Sequence, residues 1–148
     1  MKALVFDMDG TIADLYGVKD WLKSLQNESS EPYRIAQPLY DMDTLNVILT
    51  LLQMDGWKII VTTWLAKNST PAYDNKVRKA KRRWLEKMNF PFDELHMVKY
   101  GTPKQNVTRK LGGFQILVDD NEDVRNAWNL GGTINANKDI LKALVGLL

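Results

Sequence analysis

With 148 residues, 45% of them hydrophobic, the chain can build one domain whose core needs no disulfide or metal staple. Its 20 basic and 18 acidic residues nearly cancel, which excludes the global field of a general nucleic-acid or membrane-surface binder. The lack of cysteine excludes a thiol nucleophile, a disulfide scaffold and a thiolate metal centre, and any triad would depend on His96, the one histidine.

The first predicted strand, Ala3 to Phe6, runs into Asp7-Met8-Asp9-Gly10-Thr11. Two carboxylates one residue apart at a strand end repel each other and raise at least one pKa unless a cation neutralises them. A hard divalent cation with oxygen ligands, magnesium above all, suits that need. Leu15 to Asp43 then interrupts the pattern, with a helical stretch around Val18 to Leu25 followed by the loop chemistry of Asn27-Glu28-Ser29-Ser30-Glu31-Pro32. Leu45, Ile48, Leu49 and Leu52 share one helical face. A second strand, Lys58 to Thr62, brings Thr62-Thr63 to its end, and a helix carrying Val77, Ala80, Trp84, Leu85 and Met88 on one face follows. The strand Leu95 to Val98 precedes Lys99-Tyr100-Gly101-Thr102-Pro103-Lys104, and a helical pattern covers Gln105 to Leu111. Ile116 to Val118 forms a strand ending in Asp119-Asp120, with a helix predicted over Glu122 to Leu130. A weaker strand at Thr133 to Asn135 and a helix over Asp139 to Val145 complete the chain.

Strands alternating with helices predict an α/β fold around a mostly parallel sheet, with its ligand crevice outside the carboxyl ends of the strands. Those ends carry Asp7 and Asp9, Thr62 and Thr63, Lys104, and Asp119 with Asp120. Together they suit phosphoryl transfer. One carboxylate can attack phosphorus, a second can protonate the leaving oxygen and then activate water, and lysine, hydroxyl and metal can offset phosphoryl charge.

These four sites, taken in order, resemble the motifs of the haloacid dehalogenase-like phosphohydrolases, and the resemblance covers nearly the whole chain. It implies a three-layer α/β/α Rossmann-like sandwich forming a single domain over residues 1–148, with a short cap-like insertion at 15–43. It implies Asp7 as nucleophile and Asp9 as acid/base. Thr63 matches the second motif, seven residues after Gly56, with Thr62 as an alternative; Lys104 matches the third, and Asp119-Asp120 the fourth. Magnesium would be held by Asp7, the Asp9 backbone carbonyl and one or both late aspartates, while Thr11, Thr63 and Lys104 would bind phosphate. The short insertion implies a minimally capped, open site. Asp-Met-Asp-Gly-Thr and the paired late aspartates are also similar to those of small deoxyribonucleotidases and polynucleotide phosphatases.

The expected activity is therefore magnesium-dependent phosphomonoester hydrolysis through an aspartyl phosphate, on a nucleotide, another small phosphate ester or a nucleic-acid end. The alternatives are a phosphotransferase or mutase on the same scaffold and, more remotely, a receiver-like signalling module. In a receiver the acidic pair ends the first strand and the acceptor the third, the reverse of the order here. Lys76 to Arg83 places six cationic side chains in eight positions, which is either a solvated helix face or a platform for nucleic acid. Trp64, Tyr16 and Trp21 are candidate substrate contacts, while His96 in a strand pattern reads as structural. No apolar run resembles a signal peptide or approaches the roughly 20 residues of a membrane span, so a cytoplasmic protein is expected, in an oligomeric state the sequence leaves open.

Overall fold

The computed structural model describes residues 1–148. Five parallel strands form the central sheet: β1 (Lys2–Phe6), β4 (Trp57–Trp64), β5 (Glu94–Val98), β6 (Phe114–Asp119) and β7 (Thr133–Asn135), in the order β5-β4-β1-β6-β7. The centre of the sheet is the chain's first strand. Phe6 lies level with Val61 of β4 and Val118 of β6, so the residues that follow these three positions leave the sheet side by side.

Alternation along the strands decides which helices cover which face. Leu4 and Phe6, Ile59 and Val61, and Ile116 and Val118 enter the main core, beneath α3 (Met42–Met54), the C-terminal half of α4 (Pro71–Lys87) and α7 (Ile140–Val145). Ala3, Val5, Ile60 and Leu117 point the other way, toward Leu111, Val124 and Trp128 around α5 (Lys104–Thr108) and α6 (Glu122–Ala127). The result is the three-layer sandwich that the sequence resemblance implies, thick on one face and thin on the other. No helix is long and apolar enough to cross a membrane.

The insertion is more structured than its composition implies. A two-stranded antiparallel ribbon, β2 (Ala13–Asp14) with β3 (Gln37–Pro38), closes its neck, and α1 (Trp21–Gln26) and α2 (Glu31–Ile35) lie between. The loop chemistry expected through Pro32 gives way to α2, because proline in a helix's first turn sacrifices no intrahelical hydrogen bond. Tyr33 of α2 packs with Leu15, Leu65, Tyr73, Val77 and Ala80, docking the insertion onto the N-terminal half of α4.

Candidate active site

Asp7 leaves β1 with its amide donating to the Val118 carbonyl (2.9 Å), which sets it between β4 and β6 at the carboxyl edge. Its carboxylate is enclosed. Lys104 Nζ donates to Oδ1 (2.7 Å) and the Thr11 hydroxyl to Oδ2 (2.9 Å). Lys104, at the first turn of α5, also reaches Asp119 Oδ2 (2.8 Å) and is itself buried, whereas Lys99 is exposed. Lys104 thus joins Asp7, at the end of β1, to Asp119, at the end of β6.

Gly10 makes the approach of Asp120 possible. Its φ is +80°, and a Cβ there would fall 2.5 Å from Asp120 Oδ2 and 2.8 Å from the Tyr16 ring. With that space open, ligand atoms of Asp7, Asp119 and Asp120 lie within 4.8 Å of one another. Burial and the neighbouring Asp7 and Asp119 carboxylates push the Asp120 carboxyl up to about 7, and burial with Asp7 raises Asp119. Burial also acts on Asp7, but the Lys104 charge and the hydrogen bonds around it hold that carboxyl below its usual range. Four carboxylates (Asp7, Asp9, Asp119, Asp120) and two ammonium groups (Lys81, Lys104) leave a formal charge of −2. An all-oxygen donor set with that residual charge fits magnesium.

Asp9 stands apart from the three-carboxylate cluster. Its Oδ2 accepts from Lys81 Nζ (2.8 Å), and burial raises its carboxyl despite that cation. Any contribution of Asp9 to a metal would come through its backbone carbonyl, as the sequence resemblance implies. Lys81 also donates to Thr63 Oγ1 and to the Trp64 carbonyl, both at 2.7 Å.

The adjacent threonines separate cleanly. Thr63 lines the crevice, while the Thr62 hydroxyl is buried and has no partner. Thr11 is wholly buried and does not line the crevice; its hydroxyl lies within hydrogen-bond reach of Asp7 Oδ2 and of Asp120 Oδ1 (3.2 Å), so in this structure it braces carboxylates. His96 pairs with Glu94 on β5, outside the crevice, in keeping with a structural role.

Trp64, Tyr16 and Trp21 all line the crevice, which holds about 490 Å³. Tyr16 packs edge-on against Trp21 (4.9 Å between centroids). Trp64 tilts against Tyr100 (5.1 Å), anchored by its indole N–H to the Thr102 carbonyl (2.8 Å). Lys104 Nζ lies 5.4 Å from the Trp64 ring, so this aromatic wall begins beside the lysine that holds Asp7.

Lys81 is the residue that sequence reasoning missed. Within the run 76–83 the other five cationic side chains are exposed and Lys81 alone is buried. A signal was present: position 81 follows Val77 by four and precedes Trp84 by three, placing it on the apolar stripe of α4.

The fold is shared with D,D-heptose 1,7-bisphosphate phosphatase from B. bronchiseptica, solved with magnesium and phosphate. The TM-score is 0.61 at 14% identity, over 100% of both chains. This is the haloacid dehalogenase-like fold. A chain of the Pnkp1/Rnl/Hen1 RNA repair complex is also similar, with a TM-score of 0.56 and 23% identity; the match spans 90% of the present chain and 42% of that one. No protein-family profile and no curated protein sequence matches the chain.

Proposed function

We propose that the protein is a magnesium-dependent phosphomonoester phosphatase that works through an aspartyl phosphate on Asp7, with a nucleotide or a nucleic-acid end as its substrate. The observation that carries this reading is the joining of Asp7, Lys104 and Asp119 beside Asp120 in the lining of one crevice, with Asp9 held apart on Lys81. The two carboxylates of one motif also diverge in acidity, Asp7 downward and Asp9 upward, which suits one as nucleophile and the other as acid.

In the first step Asp7 attacks phosphorus while the bond to the leaving oxygen breaks. That oxygen takes the bond's electron pair and the Asp9 proton, giving an alcohol and phosphoaspartate. Water then attacks the same phosphorus and yields a proton to Asp9, and the bond to Asp7 breaks to release inorganic phosphate. Lys104 and the Thr63 hydroxyl balance charge on the phosphoryl oxygens. Magnesium, held by the Asp7, Asp119 and Asp120 carboxylates and the Asp9 carbonyl, supplies further positive charge there when bound.

The two aromatic pairs beside the reactive carboxylates favour a leaving group with a flat ring, which a nucleoside provides. The fold likeness to a chain of an RNA repair complex and the exposed cations of α4 support a nucleic-acid end as well. The test is phosphate release from nucleotides, sugar phosphates and 3′- or 5′-phosphorylated oligonucleotides, with and without magnesium, beside Asp7→Asn. Magnesium-dependent release that disappears in the variant is expected. Consumption of a phosphoryl donor without phosphate release, the phosphate appearing on a second acceptor, would replace the phosphatase by a phosphotransferase.

A further inference from the structure

We propose that Lys81 is a positioning residue for the chemistry, fixing one Asp9 carboxylate oxygen and forcing the Thr63 hydroxyl to act as a donor toward the transferring phosphoryl group. This rests on the phosphatase reading above and concerns a residue that none of the sequence motifs contains.

The side chain is 0% exposed, and its three acceptors, Asp9 Oδ2, Thr63 Oγ1 and the Trp64 carbonyl, lie at 2.7–2.8 Å. An ammonium group has three protons, so none remains for substrate. The Tyr33 ring, 5.0 Å away, covers it from the insertion side. Position 81 lies on an apolar stripe, where a leucine would pack without the cost of desolvating a charge. A merely structural residue has no need of that charge. Its bonds instead assign roles. Lysine offers no lone pair, so Thr63 Oγ1 must accept from it, and the Thr63 hydroxyl proton, which no protein group takes up, faces the crevice. At Asp9, Oδ2 is tied to Lys81 and Oδ1 is left to exchange a proton with the leaving oxygen.

The discriminating readout is leaving-group dependence. kcat/KM reports transfer to Asp7, the step in which Asp9 protonates an alkoxide. A 4-nitrophenyl leaving group needs little protonation, whereas an alkyl one needs it fully. Lys81→Met is expected to lower kcat/KM by about tenfold for 4-nitrophenyl phosphate and by about a hundredfold for an alkyl phosphate. In an Asp9→Asn background the same substitution should leave the ratio between the two substrates unchanged. Equal losses on both substrates in otherwise wild-type protein would overturn the proposal. If Lys81→Met does not fold, Lys81→Gln carries the same comparison. Independently, the ¹⁵N-labelled Lys81 ammonium should give a solvent-protected signal that shifts in Thr63→Val, and its absence would also overturn the assignment. A wild-type enzyme that hydrolyses neither ester would remove the phosphatase reading itself, while the ammonium signal would still report on the bonds of Lys81.

Discussion

Thr62 and Thr63 are adjacent on one strand and call for opposite outcomes on substitution by valine, which keeps the shape and removes the hydroxyl. Thr62→Val deletes a buried hydroxyl that has no partner, so thermal stability should hold or rise and turnover should be unaffected. Thr63→Val deletes the hydroxyl that faces the crevice and should reduce kcat by about tenfold or more. Melting curves and phosphate release on the two variants check both statements, and a kcat loss in Thr62→Val would reverse the assignment. Asp9→Asn should still permit slow phosphorylation of Asp7 from an activated ester while impairing hydrolysis more, so that turnover is slow and phosphoenzyme accumulates on quenching. The candidate site residues stood out because their types are costly together: paired carboxylates at a strand end have few structural uses. Choosing between Thr62 and Thr63 required the strand's orientation, which two consecutive threonines leave open. Lys81 was hidden by its neighbours, since a lysine among five exposed cations looks like one more solvated charge.

The strands and long helices follow the apolar periodicity closely, with β7 at the predicted Thr133–Asn135 and α4 covering the whole basic run. The insertion was the least legible element, because its order comes from tertiary bonds. The Trp84 indole donates to the buried Ala36 carbonyl (2.8 Å), and the Tyr73 hydroxyl donates to the Ser29 carbonyl (2.8 Å). Trp84→Phe should therefore cost about 1–3 kcal/mol in urea unfolding, by leaving that carbonyl unpaired. Gly113, just before β6, is a second fixed point. Its φ is +71°, and a Cβ would lie 2.0 Å from the Met1 carbonyl oxygen, the acceptor for the Phe114 amide at the start of the β1–β6 pairing. Gly113→Ala should destabilise by on the order of 2 kcal/mol or more, since it combines left-handed strain with a backbone clash. A neutral melting curve would mean that the β1–β6 junction can open at no cost.

Over the whole molecule the charges nearly cancel, yet the crevice concentrates two uncompensated negative charges, and this couples metal, proton and stability. Asp120 titrates at about 7 in the folded protein against 3.8 ordinarily. Between those values the folded state holds a proton that the unfolded chain has released, so stability falls as pH rises through the window. The contribution is complete below 3.8 and gone above about 7. Asp119 and Asp9 shift in the same direction, while Asp7, held low, titrates beneath the window and does not change within it. Magnesium requires the deprotonated ligands, so at acidic pH it must displace protons and at alkaline pH it fills the charge they leave behind. Added magnesium should therefore raise Tm more at pH ~8 than at pH ~5, by mass action on the folded state alone. Asp120→Asn should shrink that difference, since it removes both the raised carboxyl and one ligand. Calorimetry at the two pH values, with magnesium and with a chelator, makes the comparison. An equal magnesium shift at both would mean that the cation does not bind through these carboxylates.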